Sequence, residues 1–402
     1  MITKLAWKNI WFKPLNTLLS LILLTASVAI ISLLVLLQEQ FEKQFSNNID
    51  GIDMVIGAQG SPLQLILSAV YHIDAPTGNI DYAEAKNWMN HPFVEKAIPL
   101  AFGDNYRGFR IVGSETSYIE HYGASLQQGK LFEQSFEVVL GSEVAQKMQL
   151  SVGDTFVGTH GDAEEGHVHD EHPYVVVGIL ESTGKVIDNL IICSIESVWA
   201  VHDEHDHDHD HEAEDHVHEI SPEITAVLIK FKSKMGLVTW PRLIPQNTKM
   251  QGALPAIEIN RLFSLFGIGL QALEYLAYGI MLISGISIFI ALYNRLRDRK
   301  YEFALMRVNG ASRFQLLKLV LLESMFLCWV GFLLGIVISR IGLLLISSTT
   351  DDQFKMAFDP FVILWEKEGI LFAVTIFVGL LAALIPAIKA YSLNISKTLA
   401  HA

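Results

Sequence analysis

LNTLLSLILLTASVAIISLLVLL, which occupies residues 15–37, is a run of 23 residues without a charge. At a helical rise of about 1.5 Å per residue it spans roughly 35 Å, enough to cross a hydrocarbon core about 30 Å thick. Lys4, Lys8 and Lys13 precede it, so a secretory signal peptide is the rival reading. Two features weigh against that rival. The apolar core is longer than the h-region of a signal peptide, and Gln38, Glu39 and Gln40 follow where a small-residue cleavage site would stand. A retained membrane anchor is the better account.

Three further apolar blocks lie near 272–293, 316–347 and 369–388. The third span is longer than a bilayer requires, so it starts in water or is tilted. Loop charges orient the chain. Lys4, Lys8 and Lys13 stand before the first span. Arg295, Arg297, Arg299, Lys300, Arg307, Arg313 and Lys318 crowd the connection between the second and third, and Lys389 and Lys397 follow the fourth. The connection between the third and fourth is acidic by contrast, with Asp351, Asp352, Asp359 and Glu366 against Lys355 and Lys367. Excess Lys and Arg marks the cytoplasmic side, which puts both ends and the 294–315 loop inside. Three segments follow: 1–37, an extracytoplasmic domain over 38–270, and a three-span portion over 271–402. The fold class expected is four transmembrane helices plus an α+β domain inserted between the first and second.

Composition agrees. The 402 residues are 51% hydrophobic and only 18% charged, with a net charge of −14. That charge argues against nucleic acid as a partner, since phosphate binding needs clustered cations. Cys193 falls in the outer segment and Cys328 in an apolar block, so a disulfide between them is implausible.

The outer segment reads as a helix over 81–90 and short strands near 109–112, 137–140, 155–157, 174–180, 190–193 and 225–231, separated by turn residues. That pattern implies a mostly antiparallel sheet. Residues 261–266 read as the start of a helix continuous with the second span. In the 294–315 loop, charges alternate with Phe303, Leu305, Met306 and Val308, which suits a short amphipathic helix at a membrane surface. Asn309-Gly310 is its stop signal, and Ser312 with Gln315 fits a capping box opening the third span. The plain reading is a basic loop resting on anionic lipid. The sharper one is a docking helix for a cytoplasmic partner.

Several stretches resemble one family. RDRKYEFALMRVNGASRFQLLKLVLLES, starting at Arg297, is similar to the hallmark segment of the MacB/LolC/FtsX-type ABC transporter permeases. LIPAIKAYSLNISKTLA from Leu384 resembles that family's last span and tail, and LAWKNIWFKPLNTLLSL from Leu5 its basic opening. VVLGSEVAQKMQLSVGDTF from Val138 and YVVVGILESTGKVID from Tyr174 resemble its periplasmic core. The resemblance implies a non-catalytic subunit that pairs with a second copy or a paralogue and is driven by a separate cytoplasmic ABC ATPase, which consumes the ATP. It also implies that Arg299, Lys300, Glu302, Phe303, Met306 and Arg307 meet that ATPase. Membrane lipid is a further partner. A periplasmic metal-binding protein, a lipoprotein or an outer-membrane component are the candidates on the outer side.

No nucleotide site is expected in this chain. Gly178 and Gly184-Lys185 come nearest to a P-loop, but the spacing is one residue too long and Val186 stands where Ser or Thr is needed, so the segment reads as a strand turn. Gly331 and Gly335 form GxxxG in the third span, either a dimer or bundle contact or the ordinary glycine content of a membrane helix. Glu323 and Arg340 flank the same span, as functional charges or as groups solvated near the interfaces.

Two tracts depart from the family pattern. His160, His167, His169 and His172 lie among carboxylates, and His202, His205, His207, His209, His211, His216 and His218 lie in VHDEHDHDHDHEAEDHVHE. These are 11 of the 15 histidines. Both tracts read as insertions, over 160–172 and 202–218, between core elements. A solvated acidic loop, a pH sensor and metal capture compete as explanations. Metal capture is the expectation carried forward, with zinc first and copper or nickel next, at interchangeable ligands instead of a fixed cage. No covalently bound cofactor is expected. Metal homeostasis follows as the expected role. Lipoprotein release or efflux, and mechanical regulation of an extracytoplasmic enzyme, are the alternatives.

Overall fold

The computed structural model describes residues 14–159, 173–203, 222–354 and 358–393. The chain divides into two compact units. One takes in the residues up to Phe41 and from Leu265 onward, and the other is Glu42–Ser264.

Among the described residues, four helices are long and apolar enough to cross a membrane, and the first unit takes in most of their length. They are Pro14–Ile49, Pro255–Asp298, Arg313–Phe354 and Trp365–Tyr391, the first, second, third and fourth span helices below. All four overrun their apolar blocks. The second, at 44 residues, is about 66 Å long, roughly twice the hydrocarbon thickness. It begins at Pro255, a residue suited to the first helical turn because its missing N–H would have had no partner there. The start read at 261–266 therefore lies well inside it. The third, at 42 residues, likewise exceeds one bilayer crossing. The unit boundaries fall inside the first and second span helices, so each passes from one unit to the other without a break.

Inside the bundle the contacts depend on small residues. A Cβ on Gly331 would stand 2.7 Å from Leu24 Cδ2, and one on Gly335 would stand 2.6 Å from Val28 Cγ1. The GxxxG pair therefore seats the third helix against the first within one chain. Gly379 of the fourth helix does the same against Cys328, and its carbonyl accepts a 2.6 Å hydrogen bond from Ser324 Oγ.

The second unit is a mixed α/β domain. Its strands are β1 (Met54–Ala58), β2 (Ile80–Asp81), β3 (Val94–Tyr106), β4 (Phe109–Gly113), β5 (Leu126–Gly129) and β6 (Glu137–Leu140). Then come β7 (Thr155–Phe156), β8 (Tyr174–Leu180), β9 (Ile191–Cys193), β10 (Glu223–Ile224), β11 (Ala226–Phe231) and β12 (Met250–Ala253). The main sheet runs β12-β1-β11-β3-β4-β9-β6-β8-β5, with β7 on β8 and a separate β2–β10 pair. Most pairings are antiparallel, as the turn spacing implied. Two are parallel, β4 with β9 and β6 with β8. The β6–β8 crossover contains the helix Ser142–Met148, the connection a parallel pair requires.

β3, a central strand of 13 residues, escaped the sequence reading because Pro99 and Gly103-Asp104 interrupt its pattern. Its pairing with β4 shifts register between Phe102 and Asn105, where that interruption falls. The helix Tyr82–Met89 matches the expected one and is capped by Asp81, whose Oδ1 accepts from Glu84 N at 2.7 Å. The core gathers Met54, Ile56, Ile111, Leu140, Val227 and Ile229 from the sheet with Trp240 from the helix Met235–Asn247. Trp240 packs edge-on to Trp88 and Phe231 at ring separations of 5.0 and 4.9 Å.

Candidate functional site

The connection between the second and third span helices is one short helix, Lys300–Val308. Gly310 ends it in the left-handed region, φ +93°. The predicted capping box then opens the next helix: Ser312 N donates to Gln315 Oε1 at 2.8 Å, and Gln315 N to Ser312 Oγ at 3.2 Å. Phe303 is buried against Leu296, Leu316, Leu319, Val320 and Ala387, with Met306 partly buried beside it, and Ala304 is buried as well. Arg299 Nε donates to Glu302 at 2.7 Å while its guanidinium lies over the Phe303 ring. Arg307 donates to the Ala311 carbonyl at 2.7 Å.

Of the residues expected to meet an ATPase, Phe303 is buried at 3% exposure and anchors the helix, Met306 packs partly buried beside it, and Lys300 is exposed. The outward apolar face is Tyr301, Leu305 and Val308, at 52, 47 and 58%. An exposed apolar face of this kind suits contact with lipid or with another protein.

Behind this helix lies a polar contact that loop-charge counting concealed. The sequence places Arg295 among the loop cations that orient the chain, and Glu323 with Arg340 as charges flanking the third span. Arg295 and Glu323 face each other, with Arg295 Nη1 3.7 Å from Glu323 Oε2 and both side chains at most 5% exposed. Arg295 Nη2 also donates to Thr17 Oγ1 of the first helix at 3.0 Å. Three span helices therefore meet at one charged group. The other flanking cation, Arg340, pairs with Glu368 of the fourth helix and donates to the Val362 carbonyl. At that end of the bundle Gln40 bonds Asp359 twice, through Asp359 N at 2.7 Å and the Asp359 carbonyl at 2.9 Å. Lys367 pairs with Glu39 there as well.

In the mixed unit, the ends of the first and second span helices are bonded into the domain. Phe45 packs tilted against Tyr71 at 4.6 Å and meets Phe263 edge-on at 5.7 Å, and its carbonyl accepts from Tyr71 Oη at 2.8 Å. Asn48 Oδ1 accepts from Val186 N at 2.9 Å. The turn after β8 is a strand turn, as expected, and its amides are already taken. Thr183 N and Gly184 N both donate to the Asp188 carboxylate, Gly184 at 2.7 Å, so the anion-binding geometry is filled from within.

A histidine–tyrosine group lies near these contacts. His72 Nε2 is 2.9 Å from Tyr118 Oη, and its ring also packs on Phe102. Desolvation, with Arg110 second, holds its pKa well below the ordinary histidine value. His121 is lowered to about 4, first by burial and then by Lys96 and Lys185. Burial pushes the Cys193 thiol up to about 12, so it stays protonated.

Of the histidine tracts, His160, His167, His169, His172, His205, His207, His209, His211, His216 and His218 lie outside the described residues. The backbone of His202 lies in the last turn of the helix Ile195–Asp203. In sequence the first tract lies between β7 and β8, which pair antiparallel through Thr155 with Val175 and Phe156 with Tyr174. The second separates the helix Ile195–Asp203 from β10. Among the described residues, no group of three or more His, Cys, Asp or Glu could hold a metal.

Comparison with known proteins gives matches at three levels. Residues 15–234 match the family described as the MacB-like periplasmic core domain, and residues 275–395 the FtsX-like permease C-terminal family. Two curated relatives are pyoverdine export ATP-binding/permease proteins PvdT of Pseudomonas fluorescens. That of strain Pf0-1 is 22% identical and that of strain Pf-5 21%, each over 97% of this chain. The chain spans 57% of their length. Among solved structures, the periplasmic region of MacB from Actinobacillus actinomycetemcomitans aligns at 13% identity and a TM-score of 0.35, covering 54% of this chain and 95% of that one. The extracellular domain of the noncanonic ABC-type transporter YknZ from Gram-positive bacteria aligns at 12% and 0.32, covering 50% and 98%.

Proposed function

The chain belongs to the MacB/FtsX-type family of ABC transporter permeases, and from that premise we propose that it couples a separate cytoplasmic ATPase to movements of its outer domain. The observation that carries this reading is the connecting helix. It is anchored by Phe303, backed by Arg295 and Glu323, and leaves Tyr301, Leu305 and Val308 outward. A subunit docking there would act directly on the second and third span helices. The first and second helices run unbroken into the mixed unit, where Phe45 and Asn48 of the first and Phe263 of the second are bonded in, so a tilt at one end reaches the other. Orientation follows from the loop cations, with both ends and the connecting helix inside and the domain of about 38–270 in the periplasm of a bacterial inner membrane. We place ATP hydrolysis in the separate ATPase, and residues 1–402 themselves contain no P-loop. The assembly would contain a second copy or a paralogue.

The cargo reading rests on the tracts. Eleven histidines in two loop insertions, interleaved with carboxylates, suit capture of zinc, or of copper or nickel, at the outer face. Metal homeostasis is therefore the role proposed. Efflux is the alternative that the names of the pyoverdine relatives favour. Lipoprotein release and regulation of an extracytoplasmic enzyme use the same lever.

Co-expression with candidate ATPase subunits tests the coupling. The intact chain should retain an ATPase through purification and raise its hydrolysis rate, and failure to retain any removes the proposed partnership. For the cargo, zinc, copper and nickel would be titrated calorimetrically into the full chain and into a version lacking 204–218. Micromolar zinc binding that falls with the deletion supports metal handling. Millimolar binding or none ends that reading and leaves the permease intact.

A further inference from the structure

The second and fourth span helices leave a groove of about 510 Å³ between them. Tyr278, Met281 and Phe289 line it from one side, and Val374, Val378 and Ile385 from the other. The helices close beneath it, since a Cβ on Gly285 would stand 2.8 Å from Val378 Cγ1. From Tyr278 to Phe289, and from Val374 to Ile385, each wall advances 11 residues. At the helical rise that is about 16 Å, close to one leaflet's share of a hydrocarbon core about 30 Å thick.

The two ends of the groove differ in charge. One turn beyond Phe289 and Ile385 stand Tyr293 and Lys389. The Lys389 ammonium is 3.3 Å from the Tyr293 hydroxyl and lies over its ring, 4.5 Å from the centroid. Tyrosine and lysine so placed mark a membrane boundary. Arg297, another turn along the second helix, is exposed, and Lys300 opens the connecting helix. At the far end the Tyr278 hydroxyl donates to the Glu274 carboxylate at 2.7 Å. A phosphate is attracted to the first end and repelled by the second.

We propose that this groove binds an anionic phospholipid, one acyl chain between the helices and the phosphate held by Lys389 and Arg297. Lys389 engages Tyr293 with one of three N–H donors and keeps the others for the headgroup. With Lys300 adjacent, the headgroup ties the fourth and second span helices to the start of the connecting helix. The leaflet concerned is the cytoplasmic one, and that detail alone rests on the orientation proposed above. The cationic end favours lipid over a helix from a second copy, because a second copy would meet this end with an equally basic segment of its own or with apolar surface.

The test uses the full chain in detergent, exposed to phosphatidylglycerol, phosphatidylcholine or glycerol phosphate, with bound molecules counted by native mass spectrometry. ATPase retention is measured in the same samples. Phosphatidylglycerol should be retained at least tenfold better than phosphatidylcholine, and glycerol phosphate should not be retained. The preference should vanish in the Lys389→Glu/Arg297→Glu double variant. Both lipids should be lost from Leu381→Trp, which fills the groove, with Ile286→Phe on the opposite wall as a second filling variant. Equal retention of the two lipids overturns the proposal, as does an unchanged preference in the double variant or tight binding of glycerol phosphate alone. So does a filling variant that keeps its lipid but loses its partner copy, which would make that copy the occupant. Loss of lipid preference with ATPase retention intact would leave the permease reading standing, so the two failures are distinguishable.

Discussion

Arg295 of the second span helix and Glu323 of the third face each other at 3.7 Å, both buried, with Thr17 of the first helix accepting a 3.0 Å hydrogen bond from the same guanidinium. The ion-pair distance is beyond hydrogen-bond length, so the contact is chiefly electrostatic. Taking two charges out of water costs about as much as their attraction returns, and leaving one of them alone costs about 3–5 kcal/mol. Glu323→Leu should therefore destabilise the protein in detergent by roughly that amount. The Arg295→Met/Glu323→Leu double variant should recover most of it. If the double variant regains stability but no longer raises ATPase activity, the pair serves coupling. Recovery of both would make the pair merely structural, and additive losses in stability would show that the two groups do not interact.

Gly335 sits where a Cβ would stand 2.6 Å from Val28 Cγ1 and 3.1 Å from the Thr25 carbonyl oxygen, so neither a side chain nor backbone has room to yield cheaply. Gly335→Ala is expected to cost about 1–3 kcal/mol by overpacking. Gly342 is the control, since its Cβ would meet Leu33 at an ordinary 3.6 Å. Thermal unfolding that ranks the two variants equally would contradict the seating of the third helix on the first.

The connecting helix separates anchoring from contact. Phe303→Ala empties a buried position and should cost about 3–5 kcal/mol. Leu305→Glu changes an exposed position, so stability should move by less than about 0.5 kcal/mol while retention of the ATPase falls at least tenfold. Circular dichroism melts and pull-down yields would be compared for both variants. Normal retention in Leu305→Glu would mean that the partner docks elsewhere.

Acid should weaken the mixed unit before its carboxylates titrate. In the folded state His121 takes a proton only near pH 4, against an ordinary value of 6.5, and His72 is lowered as well. Below pH 6.5 the unfolded chain therefore binds more protons than the folded one, and stability falls as pH drops through that window. Groups that titrate alike in both states cancel. Denaturant midpoints measured between pH 7 and 4.5 should slope downward. The slope should lessen in His121→Gln and in His72→Asn, asparagine being tolerant of the +56° φ at that position. A flat profile for the unaltered protein would contradict the burial assigned to these rings.

The amino-acid order by itself determined the four spans, the capping box at Ser312 and strands such as β6 and β8. Each of these depends on hydropathy, periodicity or a cap within a few residues. The long strand β3 was not legible, because Pro99 and Gly103 break the local pattern while partners on both sides hold the strand extended. Only the tertiary structure decided that Arg295 meets Glu323, that Phe303 turns inward, and that Gly331 and Gly335 face Leu24 and Val28. The physical reason is common to all three. Whether a charge is solvated or paired, and which face of a helix is buried, depends on what a distant segment brings beside it, and no short stretch of the chain encodes that.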